Sequence, residues 1–206
     1  MTDSSAIRQS VVRLQKARDA LKRLEATSTL DETESAWADL LLSGNAIYSK
    51  LEQGAKAGGG KASAWYGRIK KLRKDDPLLS YVHHARNSEE HGIEDVTKRM
   101  KAGDATLTFR EPFDPGKMHG LQLNIGADSR GHVRVSSSNE DVVSTRMYDQ
   151  PSLALVRVKD SRFGDYFDPP YEHLGTKLAD QSPLTVGSLF VAYLAQLIDD
   201  ARPFGV

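Results

Sequence analysis

The sequence predicts an α+β fold: an N-terminal four-helix bundle, then a small, mostly antiparallel β-rich region closed by a C-terminal helix. Three observations predict it. Over residues 4–103 apolar side chains recur at helical spacing; beyond Asp104 they alternate in short runs cut by Gly, Pro and Asp; from Ser182-Pro183 the helical period returns. The division that follows is 1–103 and 104–206, with the last helix at about 183–201.

The first helix is expected over residues 4–25, where Ile7, Val11, Leu14, Leu21 and Leu24 share a face and Arg8, Arg13, Lys16, Arg18, Lys22 and Arg23 form a solvated basic one. A second should run from about Asp31 to Glu52, its start favoured by Asp31, Glu32 and Glu34 and its apolar stripe made by Trp37, Leu40, Leu41, Tyr48 and Leu51. Gly54 to Lys61 reads as a flexible loop. A glycine run before Lys suggests a phosphate loop, but the Gly-Lys-Ser/Thr ending and the preceding strand are missing. The third helix spans about Ser63 to Lys74, with Trp65, Ile69 and Leu72 inward.

The fourth helix has the clearest start in the chain: Asp76 can cap it and Pro77 fits its first turn, where no backbone N–H is needed. Three of the six histidines fall on it, His83, His84 and His91, and Ile93 to Lys101 is expected to continue helically. At about 100° per residue, Arg86 lies among the apolar positions. A guanidinium there must snorkel, pair with Glu89 or Glu90, or face a ligand or a second chain.

Strands are expected at Thr106–Phe109, Leu121–Ile125, His132–Val135 and Leu153–Val158, with a hairpin turn at Asp128–Gly131. Asp160 to Gly175 reads as a loop ordered by Tyr and Pro packing, since its carboxylates lack metal-ligand spacing. The final helix offers a wide apolar face (Val186, Leu189, Phe190, Tyr193, Leu194, Leu197, Ile198), to cover the sheet or dock on the bundle.

With 39% hydrophobic and 27% charged residues, the composition is that of an ordinary globular protein. Zero cysteines exclude disulfides, thiolate metal sites and cysteine nucleophiles, and suit a reducing cytoplasm. No signal peptide and no membrane-length run is expected, so a cytoplasmic location is the default. Net charge is zero, but residues 1–103 carry 18 Lys+Arg against 14 Asp+Glu, so only the first half favours a polyanion. Its densest basic cluster is Arg68, Lys70, Lys71, Arg73 and Lys74, interleaved with Trp65 and Tyr66; it can be a solvated face, or can steer an RNA backbone.

Arg86-Asn87-Ser88-Glu89-Glu90-His91 resembles the Arg, polar residue, short spacer, His motif of the HEPN superfamily, on a Pro-marked helix preceded by three others. The resemblance covers roughly residues 4 to 100 and implies a HEPN-like bundle, a homodimer through the motif helix, and RNA as substrate, with no metal or cofactor and no DNA. Its reaction is attack of the ribose 2′-hydroxyl on the adjacent phosphate, leaving a 2′,3′-cyclic phosphate and a free 5′-hydroxyl. His91 would take the 2′-hydroxyl proton while its symmetry mate protonates the leaving oxygen. Arg86 would hold the phosphorane, and Asn87, one turn before His91, would orient the ring or hold a phosphate oxygen. His84, one heptad before His91, would line the RNA groove; His83 is expected to be plain helix surface. The expected function is an endoribonuclease of toxin or anti-phage defence type, with an antitoxin or regulatory partner encoded elsewhere. The alternatives are a non-catalytic HEPN-type module for dimerisation or ligand and nucleotide binding, and a structural bundle in which the motif is coincidence.

Overall fold

The computed structural model describes residues 4–91, 95–109, 123–127, 133–137, 142–160, 163–204 and 206. Four helices come first: α1 (Ser5–Ala26), α2 (Leu30–Ala57), α3 (Gly60–Asp75) and α4 (Pro77–His91). Each of α1, α2 and α4 begins where a side chain meets an otherwise unpaired backbone N–H. Ser4 Oγ accepts from Ile7 N at 3.1 Å, Thr29 Oγ1 from Glu32 N at 3.3 Å, and Asp76 Oδ1 from Leu79 N at 2.9 Å.

Helix α2 runs past its expected end, so the expected Gly54–Lys61 loop shrinks to Gly58 and Gly59. Gly54 is helical because of what lies against it: a Cβ there would come within 2.7 Å of Ala6 Cβ and 2.8 Å of Val206 Cγ1. It is a close-approach glycine on the α1-facing side of α2 rather than a hinge.

Beyond α4 the chain does not continue helically. Val96 is buried, and β1 (Thr97–Met100) pairs antiparallel with β6 (Ser152–Leu155), Thr97 opposite Leu155. The expectation for Ile93–Lys101 fails because partnership with a distant strand outweighs a weak helical pattern, and because Arg99 is drawn to Asp31 and Glu34 at the start of α2. Residues 92–94 lie outside the described residues.

The other described strands also form antiparallel pairs: β2 (Ala105–Phe109) with β5 (Val142–Met147), β3 (Leu123–Ala127) with β4 (Val133–Ser137), β7 (Val158–Lys159) with β8 (Tyr166–Phe167), and β9 (Glu172–His173) with β10 (Thr176–Lys177). The expected Asp128–Gly131 turn lies outside the described residues, although β3 and β4, which it would join, pair in register. The run expected as one strand, Leu153–Val158, is two, broken at Val156-Arg157, where the Val156 carbonyl accepts from Tyr81 Oη on α4 at 2.9 Å.

Helix α5 (Pro183–Ala201) is capped by Ser182, whose Oγ accepts from Thr185 N at 3.1 Å, and continues into a 3₁₀ turn, Arg202–Phe204. It has the length and apolarity of a membrane span, contrary to the sequence expectation, but it docks on α1 and α2 and buries Val186, Phe190, Leu194, Leu197 and Ile198. Gly44 of α2 admits it, since a Cβ there would sit 2.3 Å from Phe190 Cε1. One continuous core thus draws on all five helices and on β6 and β7. Helix α4 contributes Leu78, Leu79, Tyr81 and Val82 to it, worth roughly 1.5–3 kcal/mol for each large side chain.

Candidate functional site on helix α4

The cap of α4 is more than local. Asp76 Oδ1 also meets His173 Nδ1 at 2.9 Å, and Asp76 Oδ2 accepts from Leu174 N at 2.6 Å. One carboxylate therefore closes the helix start and holds the β9–β10 hairpin, whose Leu174 has φ 49°. Burial works to raise the pKa of Asp76, but hydrogen bonds from His173, Leu174 and Leu79 overturn it and hold the carboxyl below its ordinary value.

Further along, Tyr81, His84 and Ser88 follow one another at spacings of three and four, forming one stripe of the helix. All three reach the second half of the chain. Tyr81 bonds to the Val156 carbonyl, His84 stacks on Phe167 with centroids 3.6 Å apart and sets Nδ1 3.4 Å from Asp160 Oδ2, and Ser88 Oγ donates to the Lys159 carbonyl at 3.2 Å. Burial pushes the His84 imidazole below its ordinary value, and Asp160 pulls the other way without cancelling it, so the ring is neutral at pH 7.

His83 is half-buried with its ring edge-on to His84 at 5.0 Å, not the plain helix surface the sequence suggests. Burial, helped by Arg73, pushes its imidazole down to about 4.

Arg86 resolves to the pairing option. Its guanidinium meets Glu90 one turn on, and its Nη1 donates to Asn87 Oδ1 at 3.1 Å, while the buried Nε has no hydrogen-bond partner. Arg86 and Asn87 are thus side by side near the end of α4. Helix α4 ends at His91, whose side chain lies outside the described residues. By spacing, position 91 is the next on the Tyr81–His84–Ser88 stripe.

The basic cluster divides in two. Arg68, Lys71 and Lys74 are exposed, whereas Lys70 pairs with Glu52 at 2.7 Å and Arg73 is half-buried over the Tyr48 ring at 4.8 Å. Its expected aromatic partners face inward. Trp65 stacks on Phe204 at 5.4 Å and Tyr66 Oη donates to the Tyr48 carbonyl at 2.8 Å, both rings being buried, so neither can stack on a base. An aromatic side chain on a bundle helix is core first, and the charge pattern around it does not reveal which way it points.

Sequence reasoning missed Asp160 and Phe167 as partners of α4; the alternation of cations and aromatics through Arg157, Lys159, Phe163, Tyr166 and Phe167 is the signal that marks the segment. Among the described residues no group of three or more His, Asp or Glu is gathered closely enough to hold a metal ion. No family model matches the chain, and neither curated proteins nor solved structures give a match.

Proposed function

We propose that this chain is a metal-independent endoribonuclease of HEPN type, working as a dimer through α4 and cutting RNA by 2′-hydroxyl attack. The observation that carries the proposal is the pairing of Arg86 and Asn87, 3.1 Å apart, on a capped helix that ends at His91. In the reaction, His91 takes the 2′-hydroxyl proton, the 2′-oxygen bonds to phosphorus, and the 5′-oxygen leaves with a proton from His91 of the second copy. Arg86 offers two-pronged hydrogen bonding to the phosphorane as its charge builds, and Asn87 supplies a neutral donor beside it.

The test is cleavage of a mixed RNA pool by purified protein in excess EDTA, with His91→Ala alongside and the product ends identified. Cyclic-phosphate ends from wild type alone support the proposal; equal cutting by both proteins, or by neither, rejects it.

A second proposal is favoured by one contact. Arg86 already has Glu90 as an ion-pair partner within its own helix, as it would in a non-catalytic HEPN-type module used for dimerisation or ligand binding. Under it, Arg86→Ala weakens self-association or nucleotide binding, and no RNA is cut.

A further inference from the structure

With Trp65 and Tyr66 in the core, the basic cluster on α3 has no rings of its own to offer a nucleic acid. Exposed rings stand elsewhere. Phe163 is 70% exposed and Tyr166 58%, the two largely exposed aromatic residues among those described. Both belong to the β7–β8 hairpin. Lys159 Nζ lies 5.7 Å from the Tyr166 centroid and Arg157 Cζ 5.9 Å, with Arg157 held in place by two hydrogen bonds to Asp168 at 2.7 and 2.8 Å.

We propose that this hairpin is a stacking platform for unpaired bases of single-stranded RNA, with Tyr166 and Phe163 as the rings and Lys159 as the adjoining cation. For the identity of its ligand this rests on the ribonuclease proposal above. Every base has a π-face, so an exposed ring flanked by a cation takes bases with little sequence preference. Position supports the role. The stack of His84 on Phe167 and the bond from Ser88 to the Lys159 carbonyl fasten the hairpin along the stripe of α4 that leads to position 91. Bases held on Tyr166 would set the adjoining phosphates over the helix that carries Arg86 and Asn87.

The local charge says what kind of contact this is. Asp160 faces His84 and Asp168 faces Arg157, while Asp165 remains exposed beside Tyr166. The hairpin is therefore not a cationic groove for a backbone, and its affinity comes from stacking, with a shallow dependence on salt. A protein partner would call for a contiguous apolar patch. Here Gly164 and Asp165 separate the two rings, and charges bracket them.

The test uses the full-length chain carrying His91→Ala, so that RNA survives, and measures binding of a labelled oligouridylate of about 12 nucleotides and of a duplex of equal length. Tyr166→Ala should weaken single-strand binding about tenfold, Phe163→Ala by a similar factor, and Tyr166→Phe hardly at all, with duplex binding unmoved. Unchanged affinity in both alanine variants, with folding verified by circular dichroism, would overturn the platform, as would failure of the parent to bind the single strand. Loss of self-association with RNA affinity intact would assign the rings to a protein contact instead. Tyr166-dependent binding without cyclic-phosphate products from wild type would keep the platform and remove the nuclease.

Discussion

Asp76 and His173 are 97 positions apart in the chain, yet Asp76 Oδ1 and His173 Nδ1 meet at 2.9 Å with the two residues only 5% and 8% exposed. The same carboxylate caps α4 and anchors Leu174, so three partners share one buried charge. Removing it leaves two N–H donors and an imidazole unpaired.

Asp76→Ala should destabilise the protein by about 2–4 kcal/mol, more than the loss of an ordinary helix cap, read as a shift in the denaturation midpoint. Because its folded pKa lies below the ordinary value, this stabilisation is complete above the unfolded value near 3.9 and is lost as the pH falls through the folded one. Asp76→Asn should flatten the acid limb of the stability profile. An unaltered limb would show that the carboxylate is not ionised in the folded state.

His83 acts at higher pH. Its folded value of about 4 lies below the unfolded 6.5, so between the two the unfolded chain holds more protons and stability rises with pH. Discounted for its partly wet position, the rise should be roughly 2 kcal/mol, and His83→Gln should abolish it.

Arg86→Ala separates stability from chemistry. A pair with Glu90 one turn away contributes only about 0.5 kcal/mol, so the melting temperature should barely move. RNA cleavage measured in single turnover should fall at least about a hundredfold on the proposed mechanism. A large drop in stability would instead place Arg86 in the architecture.

Gly44→Ala tests the seat of α5. The added methyl would lie 2.3 Å from Phe190 Cε1, and such overpacking costs about 1–3 kcal/mol. Adding Phe190→Leu should restore part of that loss in urea titrations. Additive losses would mean that the two positions are not in contact.

Leu174 holds φ 49° without being glycine, which costs about 1–2 kcal/mol. Leu174→Asn should therefore raise the denaturation midpoint by roughly 0.5–1 kcal/mol, leaving the Leu174 N–H bond to Asp76 in place.

The helix starts were legible because they depend on a few neighbouring residues: Asp76-Pro77 and Ser182-Pro183 carry their own caps. What sequence could not supply was partnership at a distance. Gly54 reads as a loop residue until Ala6 and Val206 are placed against it, and Val96 to Met100 reads as helix until β6 is set alongside. Trp65 and Tyr66 look like an RNA surface only while the direction of α3 is unknown. At the candidate site, the adjacency of Arg86 and Asn87 was in plain view, and the options for Arg86 included the Glu90 pair it makes. Asp160, Phe167 and His173 were invisible as partners of α4, because short strands and loop ends have no periodicity to say where they dock.

The bracing of α4 by Val156, Lys159, Asp160 and His173 also sets a schedule. During synthesis the motif helix emerges long before the residues that complete its cap and cover its flank. At about 5–20 residues per second, a nascent chain waits several seconds for them. On the proposed function, a nuclease built this way would stay inert beside the ribosome that is making it, and would become dangerous only once its own translation is nearly done.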